Sequence, residues 1–411
     1  MRTEKKIRDM FYFVGVSDLT FQGNGTVDGQ GYMWWVREFI QRNTHGRPKL
    51  MEFHQGRNLH FSGIRWIDSP SFHFVFKDID NLYMHDMEIH VDYKGQLEIN
   101  KLLLGNNGYT EGGKTLPWFP LNTDGIDLHG TNILLERINV TNFDDAVAVK
   151  SCNKNYQIAQ CTENVVVRDM NIWFGVGLSI GSIPADDAYN CVNNITFSNS
   201  KFHHPLKAIY VKTNPGVTTS MLPGSGGKIT NVLYENLEIF RPIWWTIYIG
   251  PQQQNQPGPS DDPGCLLYPL VPCDTQPLVD VKNITLRNIQ SYGSLLPPGI
   301  IRCNSTNPCT GFVFENVKAH GWWRIFGLNY IVENVEGTVI HSKPDPGFKS
   351  IGASQLPAEE FKFGQFVEEN VYPLIASMLD NASFSRNQAK IGHGYNDVVQ
   401  SYTQAYGYLT K

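Results

Sequence analysis

Residues 132–140 read NILLERINV, residues 164–172 read NVVVRDMNI and residues 194–202 read NITFSNSKF. Each stretch begins with an asparagine, continues with alternating apolar residues and ends in polar residues typical of a turn. An alternation with a period of two residues is the pattern of a β-strand with one buried face. Further copies of the pattern start at Asp18, Asn58, Asn81, Asn231, Asn283, Gly311 and Asn329. The sequence therefore predicts a repeat of short strands rather than a string of separate domains.

The spacing of the repeat separates the all-β architectures that such strands can build. A β-propeller needs four strands in roughly 40–45 residues and carries a blade signature, and no such signature is visible; a sandwich is the other rival. Strands that return roughly every 20–35 residues, with asparagine at the turns, favour a right-handed parallel β-helix. The prediction is an all-β solenoid in which asparagine side chains stack in ladders between coils and aliphatic residues fill the interior.

The repeat also predicts the domain organisation. We expect residues 1–340 to form the β-helix and residues 341–411, which have helical patterning, to form a C-terminal extension that packs on or caps it. Segments 101–119 and 251–273 interrupt the rhythm and are predicted to be long loops. The chain begins inside a strand-like repeat without a signal peptide, so we expect a preceding segment or a partner to cover that end.

Composition excludes several classes of partner. Lysine and arginine (34) are nearly balanced by aspartate and glutamate (39), for a formal net charge of −5, and the basic residues are scattered. Such a chain lacks the basic patch that nucleic acids require. No apolar stretch approaches the roughly 18–20 residues that cross a bilayer. We expect neither nucleic acid nor a membrane as a partner, and we expect a monomer.

Cysteines and glycosylation sequons favour an extracellular protein. The seven cysteines lack the spacing of a zinc site and predict disulfides instead. The expected pairs are Cys265–Cys273, Cys303–Cys309 and Cys161–Cys191, which leaves Cys152 over; a Cys152–Cys161 pair is equally compatible with the sequence. Asn-X-Ser/Thr sequons begin at Asn24, Asn139, Asn194, Asn283, Asn304 and Asn381, although the repeat itself spells several of them. We expect a secreted glycoprotein whose leader is not part of this chain.

Acidic residues cluster where two strand-like runs begin, in LNTDGIDLHG (121–130) and TNFDDAVAVK (141–150). Asp124 precedes Asp144 and Asp145 by 20 and 21 residues, close to one turn of a small β-helix, so we expect the three on adjacent coils. Neighbouring side chains of an ideal strand point to opposite faces. Asp144 and Asp145 therefore share a site only if the chain bends there. The next coils present FGVGLSIGS (174–182) and AIYVKTNPG (208–216) beside them, the latter with Lys212.

Three crowded carboxylates suit the hydrolysis of a glycosidic bond with inversion. One carboxyl group, kept protonated by the charge of its neighbours, donates a proton to the leaving oxygen, and the others orient and deprotonate a water. Two alternatives remain open from the residues alone. Aspartates at turns often bond to backbone N–H groups, and clustered carboxylates also bind calcium. We expect no metal and no cofactor.

The segments NTDGID, NFDDAVAVK, GVGLSIGS and IYVKT, in this order, resemble the four signature blocks of the polygalacturonase-like glycoside hydrolases of family 28. Those blocks read N-T-D-G, D-D, G-H-G and R-I-K, and the resemblance covers roughly residues 15–340. It implies a right-handed parallel β-helix as the catalytic domain and hydrolysis of pectin with inversion. It also implies Asp144 as the general acid, with Asp124 and Asp145 holding and activating the water.

The resemblance extends to substrate-binding residues and shows two departures. Lys212 is expected to meet a substrate carboxylate, and the further substrate-binding candidates are Tyr210, Val176, Gly177 and Asn122. Val176 stands where the family has histidine, and Tyr210 where it has arginine. A tyrosine cannot replace the bidentate contact of arginine with a carboxylate, although its ring could stack on a sugar. Because all three acids persist, we expect altered specificity rather than lost activity. Gly175, Gly177 and Ser179 are expected to shape the cleft wall.

Three function classes follow, of which the first is favoured: an inverting hydrolase of galacturonan or a related α-linked pectic chain, a polysaccharide lyase, and a non-catalytic carbohydrate-binding solenoid. The two long loops border the coils that carry the acids, so an exo-acting enzyme is expected if they close the ends of the groove. Paired tryptophans are candidate sugar platforms in that groove, namely Trp244, Trp245, Trp322 and Trp323.

Overall fold

The computed structural model describes residues 9–35, 46–92, 122–152, 155–185, 190–214, 222–253, 265, 268, 273–294, 296–321 and 328–348. These residues contain a helical turn at 32–35 and twenty strands. The strands are β1 (Phe11–Val14), β2 (Ser17–Gln22), β3 (Thr26–Asp28), β4 (Met51–Ser62), β5 (Arg65–Ile67), β6 (Phe74–His90), β7 (Ile126–Asn142), β8 (Val147–Val149), β9 (Thr162–Arg168), β10 (Asn171–Phe174), β11 (Leu178–Ile183), β12 (Asn190–His203), β13 (Ile209–Thr213), β14 (Gly227–Phe240), β15 (Ile247–Gln252), β16 (Val279–Ser294), β17 (Gly299–Arg302), β18 (Cys309–Gly321), β19 (Ile331–Glu333) and β20 (Val335–Ile340).

The strands form a right-handed parallel β-helix, as the repeat predicts. The pairings among the described strands are parallel, and each coil pairs with the coils before and after it. Three sheets run along the molecule. Sheet A contains β1, the first residues of β4, β6 and β7, and then β8, β11, β13, β15, β17 and β19. Sheet B passes through β9 and the central parts of the long strands, and sheet C through β10 and their ends.

Apolar side chains of alternate residues fill the interior of the helix. In sheet A two inward rows are buried across the five coils from β7 to β15, with exposed fractions of 2% or less. These rows consist of Ile126, Val147, Leu178, Ile209 and Ile247, and of Leu128, Val149, Ile180, Val211 and Ile249. Because the period of a strand is two, the residues between them face outward. Sheet A therefore presents a first outward row (Asp127, Ala148, Ser179, Tyr210, Tyr248) and a second (His129, Lys150, Gly181, Lys212, Gly250).

Asparagine ladders stabilise two of the bends in each coil. In the first ladder each amide donates to the residue one coil back, for example from Asn194 to Asn164 over 2.8 Å and from Asn283 to Asn231 over 3.1 Å. A second ladder runs through Asn199, Asn236, Asn288 and Asn316. Every ladder asparagine named here has a φ between 51° and 57°, the left-handed region that asparagine tolerates better than most residues. The predicted ladders are confirmed.

Three disulfides join the predicted cysteine pairs, Cys161–Cys191, Cys265–Cys273 and Cys303–Cys309. Cys152 is the unpaired cysteine and is buried. The alternative Cys152–Cys161 pair does not form.

The described strands belong to one compact unit, Met1–Val91 with Leu121–Leu356. A second unit, Asp92–Pro120 with Pro357–Lys411, lies outside the described residues except for Asp92, as do the predicted loop 101–119 and most of 251–273. Strand β20 ends at Ile340, and the ring of Phe348 then packs 5.0 Å from that of Phe314 inside the last coil. A domain boundary at residue 340 stays a prediction. Among the described residues, no helix is long and apolar enough to span a membrane.

Candidate active site

The turn that leads from sheet C back to sheet A carries the clustered acids. Ile126 lies opposite Val147, so Asp124 lies over Asp145 on the adjacent coil. The N–H of Gly125 donates to the carbonyl oxygen of Asp145 over 2.9 Å. The Asn142 amide donates to the carbonyl oxygens of Thr123 (3.1 Å) and Asp145 (2.8 Å), which ties the turn to the coil beside it. These bonds hold the bend that brings Asp144 and Asp145 to the same site.

The three predicted acids meet. One carboxylate oxygen from each of Asp124, Asp144 and Asp145 lies within 4.8 Å of the other two. Asp124 and Asp145 are buried, whereas Asp144 is partly exposed. Asp144 is thus the carboxyl group with the best access to a ligand.

Asp145 is held in the ionised form. Lys212 Nζ donates to one of its oxygens over 2.6 Å, and Ser179 Oγ donates to the other over 2.6 Å. Burial acts to raise the pKa of Asp145, but the charges of Lys212 and Lys150 and the two hydrogen bonds outweigh it, so the pKa lies below its usual value. Asp145 is suited to accept a proton or to bind a water.

Asp144 has the opposite electrostatic character. Burial and the negative charge of Asp145 raise the pKa of Asp144, although Lys212 and the backbone N–H groups of Asn122 and Asp145 act against the shift. Those N–H groups donate to its two oxygens over 3.0 Å and 2.9 Å. A carboxyl group with a raised pKa beside an ionised one is the arrangement of an acid and a base. Asp144 is suited to donate a proton.

Asp124 and Asp127 complete the acidic cluster. Burial, followed by the charges of Asp144, Asp127 and Asp145, raises the pKa of Asp124 well above its usual value. Burial raises the pKa of Asp127 to about 6, although Lys150, 3.4 Å from its carboxylate, acts against this. The Oδ1 atoms of both aspartates lack a hydrogen-bond partner among the described residues. Sequence analysis missed Asp127, and its outward position two residues before His129 was the available signal.

Gly175 and Gly177 support the acids from the next coil. A Cβ at Gly175 would lie 2.4 Å from Asn142 Oδ1 and 2.5 Å from the Asp144 carbonyl oxygen. A Cβ at Gly177 would lie 2.4 Å from the carbonyl oxygen of Ala208. Both glycines have positive φ, of 59° and 69°. They let the backbone approach closely enough to bond to the acidic turn, where Val176 N donates to the Asp144 carbonyl oxygen over 2.8 Å.

Lys212 and Tyr210, both predicted to bind substrate, make extensive contacts with protein groups. Lys212 is 3% exposed and paired with Asp145, and its pKa is raised because Asp145 and Asp144 outweigh the effect of burial. Tyr210 is 7% exposed. Its ring centroid lies 4.7 Å from the Lys212 ammonium and 4.0 Å from that of Lys207, a residue that sequence analysis did not single out. Contacts of Lys212 and Tyr210 with substrate stay predictions.

The other sequence candidates divide by exposure. Val176 and Asn122 are partly exposed beside Asp144, so both lie where a ligand can reach them. Trp245 is buried, with 1% exposure, whereas Trp244 is partly exposed. Trp322 and Trp323 lie outside the described residues. His129 donates to the Ser151 carbonyl oxygen over 2.8 Å, and burial lowers its pKa to about 3, so it is a neutral structural residue.

The same three aspartates form a group that could hold a cation. Such a group suits a hard ion such as Ca²⁺, which prefers six to eight oxygen ligands. Here the ammonium of Lys212 already neutralises Asp145, and a dication beside it would meet like charge. The residues present therefore fit acid–base chemistry better than a metal site.

The chain is similar in sequence to known proteins over most of its length. The family model "Glycosyl hydrolases family 28" matches residues 1–336. "Polygalacturonase QRT2" of Arabidopsis thaliana is 25% identical over 318 residues, covering 76% of this chain and 60% of that protein. "Polygalacturonase" of Cryptomeria japonica is 23% identical over 323 residues, covering 76% of this chain and 52% of that protein. The chain thus spans between half and two thirds of the length of these relatives.

A solved structure agrees with the fold. The endo-xylogalacturonan hydrolase of Aspergillus tubingensis superposes with a TM-score of 0.55 at 17% identity, over 84% of this chain and 79% of that one. At that identity the likeness supports the β-helix alone.

Proposed function

The chain belongs to glycosyl hydrolases family 28, and from this premise we propose that it hydrolyses an α-linked pectic chain, galacturonan or a related polymer, with inversion at the anomeric carbon. The observation that carries the proposal is the meeting of Asp124, Asp144 and Asp145 within 4.8 Å, with opposite pKa shifts on Asp144 and Asp145. Replacement of the family's histidine and arginine by Val176 and Tyr210 alters the sugar contacts but leaves this acid–base set intact.

In the proposed mechanism Asp144 is the general acid. Its carboxyl proton goes to the glycosidic oxygen as the bond from that oxygen to the anomeric carbon breaks. A water held by Asp145 and Asp124 attacks the anomeric carbon from the opposite face and gives its proton to Asp145. Because the pKa of Asp124 is raised well above its usual value, Asp124 orients the water by hydrogen bonding and leaves Asp145 as the proton acceptor.

The short distances between the acids raise a second candidate for the stereochemical course. Inverting pairs generally lie roughly 6.5–9.5 Å apart and retaining pairs about 5–5.5 Å apart; here one carboxylate oxygen of each acid lies within 4.8 Å of the other two. A retaining enzyme would use one aspartate as a nucleophile. A single water bonded at about 2.8 Å to two carboxylates also fits this spacing, and the family resemblance favours inversion. Proton NMR of the first-formed sugar distinguishes the two, since inversion of an α-linkage gives the β-anomer.

The mode of attack on the polymer is proposed to be exo. This rests on the length of two insertions in the sequence, 101–119 and 251–273, one before and one after the segments that carry the acids. Monosaccharide as the first product from a polymer supports exo action, whereas mixed oligosaccharides from the start contradict it.

We further propose an extracellular location and a monomeric state. Three disulfides suit an oxidising compartment. Loss of activity or a lower unfolding temperature in a reducing buffer would agree with this, and unchanged stability would count against it. Light scattering of the purified chain tests the monomer.

The activity is tested with the purified chain and a panel of polygalacturonate, methyl-esterified pectin, rhamnogalacturonan and short galacturonate oligosaccharides. New reducing ends without unsaturated products support a hydrolase. Ultraviolet-absorbing unsaturated products would instead identify a lyase, for which Lys207, with its pKa lowered to about 7 by burial and by Lys212, is a suitable base. Tight binding without any release of sugar would identify a non-catalytic solenoid.

A further inference from the structure

Lys207 lies on the line of the catalytic acids. Leu178 is opposite Val147, and Ile209 is opposite Leu178. Asp145, Val176 and Lys207 each lie two positions before these residues, on three successive coils. The N–H of Leu206 donates to the Gly175 carbonyl oxygen over 2.7 Å, which fixes the neighbouring rung in place. Because parallel strands lie about 4.8 Å apart, the backbone of Lys207 is about 10 Å from that of Asp145.

Two aromatic rings position the ammonium of Lys207. It lies 4.0 Å from the ring centroid of Tyr210 and 4.3 Å from that of Tyr248. The rings meet edge to face at 5.5 Å, and the hydroxyl of Tyr248 donates to the Cys265 carbonyl oxygen over 2.7 Å. Both rings are buried while Lys207 is partly exposed. The cation–π contacts hold the ammonium in place.

The charge of Lys207 is not matched by a carboxylate. Among the described residues, Lys212 pairs with Asp145 and Lys150 with Asp127, but no carboxylate oxygen lies within 4.0 Å of Lys207 Nζ. Burial, followed by the charge of Lys212, lowers the pKa of Lys207 to about 7, although Asp145 and Asp144 act against this. A bound anion would stabilise the ammonium form. The cluster therefore offers a built position for a negative group on the ligand.

Lys207 also explains how the site can manage without an arginine at position 210. Tyr210 fills that position with an aromatic ring, and the ammonium of Lys207 lies over that ring. Val176, on the rung between Lys207 and Asp145, presents a small apolar side chain that leaves room for a sugar. A uronate lying over Val176 with its glycosidic bond at Asp144 has its carboxylate within reach of a lysine side chain from the next rung.

We propose that Lys207 is a specificity-determining residue whose ammonium binds the carboxylate of the uronate that lies over Val176, next to the scissile bond. This inference rests on the proposed function, because it assumes a uronate in that groove. It assigns the contact to a residue outside the four signature segments, three positions before Tyr210.

The test compares Lys207→Met with wild type on two related substrates, trigalacturonate and its methyl ester, in which a methyl group replaces the charge of each carboxylate. Loss of a charge-assisted hydrogen bond reduces kcat/KM on trigalacturonate by about 10- to 100-fold. The same variant changes kcat/KM on the methyl ester by less than about threefold, and Lys207→Arg retains most of the preference for the free acid. Lys201→Met, an exposed lysine paired with Glu238 in sheet C, is the control and behaves as wild type.

The outcomes separate the two proposals. An equal loss on both substrates, or none on either, overturns the role of Lys207, provided that thermal unfolding shows Lys207→Met to be folded. If wild type releases no sugar from any pectic substrate, the proposed hydrolase activity is wrong, whatever the role of Lys207. Calorimetric binding of trigalacturonate then decides the inference: weaker binding by Lys207→Met alone supports it, and equal binding by all variants overturns it. Unsaturated products that vanish in Lys207→Met would make the residue a base and overturn it as well.

Discussion

Two bends of the same coils use closely related side chains in opposite ways. At the ladder bend, asparagines stack over several coils, and Asn164, for example, donates to Asn132 and accepts from Asn194. At the turn into sheet A, aspartates stack over only two coils, and the column then changes to Val176 and Lys207. An amide can extend such a stack without limit, whereas ionised carboxylates only accept hydrogen bonds and repel one another. The repeated asparagines therefore stabilise the fold, and the coils at which the stack of like residues is interrupted carry the candidate catalytic residues.

The largest effect is expected when an aspartate of the acidic turn is replaced by asparagine, the residue type of the ladder. Asp145→Asn keeps the shape of the side chain and its bond from Ser179 but removes the charge that accepts the water's proton. We expect initial rates of sugar release to fall by about 10³-fold or more, since general base catalysis and water orientation are lost together. Near-normal rates in a folded Asp145→Asn protein would show that this aspartate belongs to the turn rather than to the reaction.

The next largest effect is expected for the buried ion pair of Lys212 and Asp145, which has no counterpart in the asparagine ladder. Lys212→Met leaves Asp145 buried without its partner, with side-chain exposures of 4% and 1% in the native pair, and we expect the free energy of unfolding to fall by about 3–5 kcal/mol. Lys282→Met is the matched control, because Lys282 bonds to Asp280 over the same 2.6 Å at exposures of 42% and 26%. Its cost should be below about 1 kcal/mol. Equal losses of unfolding free energy in the two variants, measured by urea denaturation, would contradict the expected difference between a buried and an exposed ion pair.

The pH dependence of activity follows from the opposite shifts on Asp144 and Asp145. Activity needs Asp144 protonated and Asp145 ionised. As pH rises through the raised pKa of Asp144 the acid is lost, and as pH falls through the lowered pKa of Asp145 the base is lost. A plot of kcat/KM against pH should therefore be bell-shaped, with its maximum between the lowered pKa of Asp145 and the raised pKa of Asp144. A rate that keeps rising above neutral pH would exclude a carboxyl group as the proton donor.

The smallest effect is expected within the ladder. Asn231 donates to Asn193 over 2.8 Å and accepts from Asn283 over 3.1 Å, with a φ of 57°. Asn231→Gly removes the two bonds and should cost about 1–2 kcal/mol of unfolding free energy. Asn231→Ala adds the strain of the left-handed backbone, about 1–2 kcal/mol more. Neither should alter kcat/KM at 25 °C, and a change in activity would link the ladder to the site.

The fold and the three central acids could be predicted because both leave short-range signals. Asparagine recurs at the start of each strand unit, and the distance from Asp124 to Asp145 matches one coil. Asp127, Lys150 and Lys207 could not be assigned in the same way. Asp127 and Lys150 occupy positions that strand alternation alone gives to solvent, and Lys207 precedes strand β13. Only the register of Leu178 with Val147 and of Ile209 with Leu178 places Lys207 near the acids.

The contacts of Lys212 and Tyr210 could not be predicted from the sequence either. The pattern of a signature motif names the residues but not what each one touches, and here Lys212 is bonded to Asp145 while the ring of Tyr210 lies beside two ammonium groups. Insertions between strands, such as residues 150–161, also change the number of residues in a coil. The sequence alone therefore does not show which residues come into contact.

The most direct test of a hydrolytic site at the acidic turn is the rate of reducing-sugar release from galacturonate oligosaccharides by wild type, Asp144→Asn and Asp169→Asn. Asp169 is an exposed bend residue with a φ of 56° that asparagine also tolerates, so it controls for the change of residue type. A hydrolytic site at the acidic turn predicts release by wild type and Asp169→Asn at similar rates and a loss of at least about 10³-fold in Asp144→Asn. Equal release by all three proteins would contradict it.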